Sequence, residues 1–186
     1  MPLIIESILL TIRPDGAPHM APLGLIAAGD NWVLAPFRPS TTLENLVRTG
    51  RATAHFGADA RVYAGCLTGR RDWPVTALND GMFRLADCVS HVELQVIATD
   101  NHDERPRFTC KVLRQVTHRP FPGHNRAYSA VIELAILTSR VHMLAPEKIQ
   151  ADVAYLAISI AKTAGPAEQE AWDWLIARLR AAGIAV

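Results

Sequence analysis

The chain has 186 residues, 49% of them hydrophobic, which is enough for one domain with a sizeable core and an appendage. Its 19 basic and 18 acidic residues nearly balance, which argues against nucleic acid as the main partner. No apolar run reaches the ~20 residues of a membrane span, and the N-terminus MPLIIESILLTIRPDG lacks the basic start and cleavage site of a signal peptide. We therefore expect a soluble cytoplasmic protein that binds neither membrane nor nucleic acid.

The order of short apolar stretches and turn signals predicts a mainly β structure over about the first 115 residues. Asp15 and Gly16 form a hairpin signal between the first two strands. Many short antiparallel strands in sequence favour a barrel over a parallel sheet. The predicted strands cover residues 4–12, 19–27, 32–36, 52–56, 62–64, 91–99 and 108–116.

Alternation on the last two strands predicts which residues face the core. Val92, Leu94 and Val96 share one face of the first of these strands. Phe108, Cys110 and Val112 share a face of the second, with Arg114 as a further candidate, and residues 101–105 read as a polar loop between the two strands.

The last part of the chain has a helical pattern. Residues 125–144 contain neither proline nor glycine, residues 147–162 follow Pro146, and a third helix begins after Gly165 and ends at Gly183. We therefore predict two parts, a barrel domain over residues 1–120 and a helical C-terminal extension over residues 121–186 that packs on the barrel or on a dimer.

The stretch PFRPSTTLENL, residues 36–46, carries more polar groups than a helix start needs. Thr41 and Glu44 fit a capping box, and Gly50 is placed to end the helix. Ser40, Thr42 and the upstream Arg38 are not needed for that cap. Free N–H groups at a helix N-terminus, spare hydroxyls and one guanidinium suit a phosphate. The local sequence leaves both alternatives open, a plain cap or a phosphate site.

The stretch APHMAPLG, residues 17–24, combines two prolines, small residues and a glycine, which lets a backbone come close to a flat ligand. His19 and Met20 could pack against a ring or hydrogen-bond to it. The alternative for His19 is a surface turn residue.

Cysteines and histidines give no metal signal. Cys66, Cys88 and Cys110 are too widely spaced for a zinc or CxxC motif and are predicted to be buried thiols, with a reactive Cys66 as the alternative. His91 and Glu93 alternate on one strand face, but no third ligand follows at metal spacing, so we predict no metal.

Several blocks resemble a known family. HMAPLG, PFRPSTTLENL and GRATAHF, in this order and spacing, look like the FMN-binding split-barrel superfamily, in its flavin-reductase-like branch. The blocks AGCLTGRRDWP, LADCVSHVELQV, ERPRF, PFPGHNRAYSAVIELAILTSRVHML and KTAGPAEQEAWDWL are similar to the domain-of-unknown-function family 447 over nearly the whole chain. The resemblance implies an FMN-binding split β-barrel with a helical extension. The family's association with methanogens and methylotrophs hints at pterin-linked one-carbon metabolism.

The resemblance also implies roles for particular residues. The FMN phosphate would be held by Arg38, Ser40, Thr41 and Thr42, and Asn45 would bond the phosphate end or the ribityl chain. The protein would be a homodimer with the flavin near the interface, completed by residues of the second subunit. The isoalloxazine ring would lie along the backbone of His19, Met20, Ala21, Pro22 and Leu23.

Two further stretches have alternative interpretations. GCLTGRRDWP, residues 65–74, is either a solvated surface loop with a buried tryptophan or an anion-binding loop near the flavin. Asn125 is a candidate helix cap. Arg126 has the wrong charge for a first helical turn, which pairing with an anion such as the flavin phosphate would explain.

These observations lead to three hypotheses. The first is an FMN-dependent oxidoreductase whose chemistry belongs to the flavin and whose substrate and electron donor are unknown. The second is a non-catalytic flavin- or pterin-binding module. The third is a structural dimer with an empty barrel.

Overall fold

A computed structural model describes residues 2–102 and 104–186. Its strands are β1 (Ile4–Ile5), β2 (Ile8–Ile12), β3 (Pro18–Pro22), β4 (Leu25–Ala28), β5 (Asn31–Leu34), β6 (Arg51–Phe56), β7 (Val75–Ala77), β8 (Phe83–Leu85), β9 (Ser90–Asp100) and β10 (Arg107–Thr117). Its helices are α1 (Thr41–Thr49), α2 (Ala60–Thr68), α3 (Arg126–Ser139), α4 (Pro146–Thr163) and α5 (Pro166–Ala181).

Eight strands form one curled antiparallel sheet in the order β1-β4-β5-β10-β9-β6-β2-β3. Together with the C-terminal helices, this half-barrel confirms the predicted fold class. The hairpin signal at Asp15 and Gly16 is also confirmed, because β2 pairs with β3 in the register Ile12↔Pro18. β7 and β8, which the sequence reading missed, form a separate two-stranded sheet.

Contacts divide the chain into two compact units. The first, here called the β unit, comprises Met1–Ala58 and Trp73–Phe121. The second, the helical unit, comprises Asp59–Asp72 and Pro122–Val186. No helix of the described residues is long and apolar enough to cross a membrane.

One face of the curled sheet forms the core of the β unit. The predicted alternation is confirmed on β9, where Val92 and Leu94 are buried in this core with Val96 partly buried beside them. It is confirmed on β10 for Phe108, Cys110 and Val112 but wrong for Arg114. A register shift between Val112 and Arg114 moves Arg114 opposite Glu93, on the other face. Leu43 and Leu46 of α1 complete the core.

Three strand predictions need correction. The first strand breaks at Glu6 and Ser7 into β1 and β2, and the second breaks at Leu23 and Gly24 into β3 and β4. Residues 62–64 are helical, because they lie inside α2, which Asp59 caps by accepting a hydrogen bond from the N–H of Arg61 at 2.8 Å. Short apolar runs do not separate a strand from a buried helix by periodicity alone.

The helical unit has its own core, built from the facing sides of α2, α3, α4 and α5. Asn125 caps α3 as predicted, accepting hydrogen bonds from the N–H groups of Ala127 (2.7 Å) and Tyr128 (3.2 Å). Pro146 and Pro166 stand at the starts of the next two helices, where a proline loses no helical hydrogen bond.

Candidate functional site

The start of α1 differs by one residue from the predicted capping box. Ser40, not Thr41, is the N-cap, and its hydroxyl accepts a hydrogen bond from the N–H of Leu43 at 3.2 Å. Thr41 is therefore the first helical residue, and Glu44 lies one position too late to complete the box. Gly50 ends the helix in the left-handed conformation (φ 60°), as predicted.

Several donors at this helix start have no acceptor among the residues that the structure describes. Among residues 2–102 and 104–186, the backbone N–H groups of Thr41 and Thr42 donate to no protein atom, because the cap hydroxyl serves Leu43. The exposed Arg38 guanidinium likewise has no hydrogen-bond or ion-pair partner in this part of the chain. Free N–H groups, a helix dipole and an unpaired guanidinium fit a phosphate group.

The hydroxyls and the amide of this helix have different environments. Thr41 is exposed, Thr42 is buried and Ser40 is half-buried. Asn45 is buried, and its side-chain amide donates to the Thr11 hydroxyl at 3.0 Å. Part of its hydrogen-bonding capacity is therefore used to tie α1 to β2, a role that the sequence reading missed.

The predicted ring-facing segment forms β3 and the bend after it. His19 and Met20 are buried, so the surface-turn alternative for His19 is wrong. Ala21, Pro22 and Leu23 are half-buried.

Ser7 braces the bend that follows β3. The buried Ser7 hydroxyl donates to the Leu23 carbonyl at 2.6 Å, and the Leu23 N–H donates to the Ser7 carbonyl at 3.0 Å. A Cβ at Gly24 would lie 2.6 Å from Cγ2 of Ile4, so a larger residue here would force the Ile4 side chain to move. The sequence reading missed the brace because the two segments meet only through strand pairing.

Three histidines form a second polar cluster, here called the histidine row. They lie on the face of the sheet opposite the core that contains Val92 and Leu94. His55 and His91 are opposite each other on β6 and β9, and His118 follows β10. His55 Nδ1 donates to the Ile8 carbonyl at 2.9 Å, so its buried Nε2 carries no proton in the neutral ring. His91 Nδ1 lies 2.8 Å from His118 Nε2.

Charge is disfavoured in the histidine row. Burial lowers the pKa of His55 to about 3, and burial together with the positive charge of His118 lowers the pKa of His91. Glu93 Oε1 lies 3.6 Å from His91 Nε2, which favours a proton on that nitrogen. Within residues 2–102 and 104–186, no group of three or more His, Cys, Asp or Glu side chains could hold a metal.

The two remaining candidates are the stretch of residues 65–74, of which residues 65–72 belong to the helical unit, and Arg126. Of residues 65–74, the first four belong to the end of α2, so the stretch is not a loop throughout. Arg70 stacks on Trp174, with Cζ 4.4 Å from the ring centroid, and Arg71 donates to the Cys66 carbonyl at 3.3 Å. Burial raises the pKa of Cys66 to about 11, which opposes the reactive-thiol alternative.

Arg126 is the first residue of α3 and is exposed. The structure places it in the helical unit, whereas the other predicted site residues belong to the β unit. Its pairing with the flavin phosphate therefore stays a prediction.

The chain belongs to the family described as "Protein of unknown function (DUF447)". The N-terminal domain of that family matches residues 5–119, and a second domain of the same description matches residues 125–177. This membership was predicted from the sequence blocks and is confirmed.

Solved structures share the fold. An FMN-bound protein of the same family from Methanosarcina mazei is 19% identical, with a TM-score of 0.81 over 96% of each chain. Component B of nitrilotriacetate monooxygenase from Mycobacterium thermoresistibile is 14% identical, with a TM-score of 0.54 over 63% of this chain and 71% of that chain. Flavoredoxin from Methanosarcina acetivorans is 14% identical, with a TM-score of 0.52 over 64% and 69%.

Proposed function

We propose that this protein binds FMN on its β unit and acts as a flavin-dependent oxidoreductase. The observation that carries the proposal is the start of α1, where the N–H groups of Thr41 and Thr42 and the guanidinium of Arg38, two residues before the cap, have no partner among residues 2–102 and 104–186. When bound, FMN would supply the hydride-transfer chemistry, and the chain's own residues would bind and orient it.

The family and its structural neighbours support the cofactor and the class of reaction. The Methanosarcina mazei protein of this family is FMN-bound, and the other two neighbours are a monooxygenase component and a flavoredoxin. We propose pterin compounds as the first substrates to test, because the resemblance to the family implied a link to pterin-dependent one-carbon metabolism.

Each predicted residue of the β unit has a role in this proposal. Arg38 and the hydroxyls of residues 40–42 would hold the phosphate, and the backbone of His19–Leu23 would lie along the ring. Asn45 would contribute the hydrogen-bonding capacity that Thr11 leaves free.

We also propose a homodimer with the flavin near the interface. Leu3 (63% exposed), Ile4 (50%) and Phe37 (50%) leave apolar surface of the β unit in contact with solvent. Large apolar side chains that stay exposed are candidates for a face that a partner covers. Light scattering coupled to size exclusion, with and without FMN, measures the oligomeric state directly.

An absorption spectrum of the purified protein tests the cofactor and the reaction together. We expect flavin bands, or micromolar binding of added FMN, and bleaching of these bands under anaerobic conditions with NADH or NADPH. Flavin bands that neither NADH nor NADPH bleaches would instead indicate the non-catalytic module. Failure to bind FMN would exclude both functions and leave the structural dimer.

A further inference from the structure

The segment that carries Arg38 has no regular secondary structure. Two residues of the loop before β10, Glu104 and Arg105, hold it by hydrogen bonds at Ala35 and at Arg38. Residues 35–40 run from the end of β5 to the start of α1. The Arg105 guanidinium donates to the Ala35 carbonyl through Nε (3.0 Å) and Nη2 (2.7 Å). The backbone N–H of Arg38 donates to the Glu104 carbonyl at 3.0 Å.

Arg105 also covers the residue between these two anchors. Its Cζ lies 4.3 Å from the centroid of the Phe37 ring, within the range of a cation–π contact. Ala35 is buried, whereas Phe37 is half exposed, so the arginine links a fixed strand end to an exposed loop. Both contacts depend on the planar guanidinium, because it forks two N–H groups onto one carbonyl while its face lies on the ring.

We propose that Arg105 is a positioning residue for the anion site: it fixes residues 35–38 so that the Arg38 guanidinium and the start of α1 meet one phosphate group. The inference rests on the proposed function. Because residues 35–38 are already ordered, binding a phosphate does not cost their conformational entropy. The affinity for the phosphate is higher by that amount. No local pattern in ERPRF predicts this role, because the Ala35 carbonyl that Arg105 binds lies 70 residues away in the chain.

The test compares FMN with riboflavin, which lacks the phosphate, on the purified full chain. The informative variant is Arg105→Lys, which keeps the charge but loses the fork and the flat stacking surface. We expect it to weaken FMN about tenfold, the effect of re-ordering roughly one loop residue on binding, and to leave riboflavin unchanged. Arg107→Lys, a conservative change two residues away on β10, is the matched control and should alter neither affinity.

Each other outcome counts against the inference. Unchanged FMN affinity in Arg105→Lys would show that only the charge matters, and the proposed function would stand. Equal losses for FMN and riboflavin, with a lower melting temperature, would reduce Arg105 to a structural residue. If the unaltered protein binds neither compound, the proposed function fails and the inference fails with it.

Discussion

The start of α1 and the histidine row are both rich in polar nitrogen, but their environments are opposite. At the start of α1 the Arg38 guanidinium is exposed and charged, and several donors have no partner among the described residues. In the histidine row, His55 and His91 are buried, and a ring nitrogen of each makes a hydrogen bond to a neighbouring residue of the β unit. The first arrangement is the one that we propose for an anion, whereas the second disfavours an added proton. Burial and pairing, not residue type, distinguish a binding site from a structural cluster.

The largest expected effect is a loss of folding stability at acid pH, caused by the histidine row. The pKa of His55 is about 3 in the folded chain and 6.5 ordinarily, so below pH 6.5 the unfolded chain binds a proton that the folded chain refuses. Stability is therefore full above pH 6.5 and falls towards pH 3, by about 1.4 kcal/mol per pH unit. From pH 7 to pH 5, we expect His55 alone to cost about 2 kcal/mol, measured by urea unfolding at each pH.

The charged groups around the histidine row change the size of this loss of stability. The lowered pKa of His91 acts in the same direction, and the positive Arg84 disfavours protonation of both rings, while Glu93 favours protonation of His91. His55→Gln removes the titrating ring and should flatten the acid limb. His142→Gln, at an exposed position, should not. Equal acid limbs in His55→Gln and the unaltered protein would contradict the assignment.

The next effect concerns the anion site. Arg38→Ala should weaken FMN about tenfold to a hundredfold, the usual value of one charged hydrogen bond, and leave the melting temperature within about 1 °C, because exposed substitutions without partners change stability little. Isothermal titration with FMN gives the affinity. Arg178→Ala removes the same charge from an exposed position of α5 and should leave FMN binding unchanged. Identical FMN affinities in Arg38→Ala and the unaltered protein would show that Arg38 does not bind the phosphate.

The smallest expected effect concerns Ser40, where two variants distinguish a helix cap from a phosphate-binding residue. Ser40→Ala removes the cap of α1 and should cost about 1 kcal/mol of stability. Ser40→Asp restores a cap acceptor but places a negative charge beside the proposed phosphate. If Ser40 serves the cap alone, Ser40→Asp binds FMN as the unaltered protein does. If the phosphate lies here, Ser40→Asp is stable yet binds FMN more weakly than Ser40→Ala.

The parts that the sequence predicted well depend on local patterns. Alternation placed Val92 and Leu94 in the core, and the cap of α3 at Asn125 followed from one side chain and its own helix. The cap at Ser40 was missed by one residue, because three consecutive hydroxyls offer the same local chemistry and only the backbone conformation chooses among them.

By itself, the sequence determined the class of fold, the family and the segment that carries Arg38, because strand and helix periods, turn residues and family blocks are all properties of neighbouring residues. The tertiary structure decided what long-range pairing controls. It brought Arg105 to Ala35, Ser7 to Leu23 and His118 to His91. These contacts join residues between 16 and 70 positions apart, so no local pattern predicts them, and they decide which polar groups are used internally and which are left for a ligand.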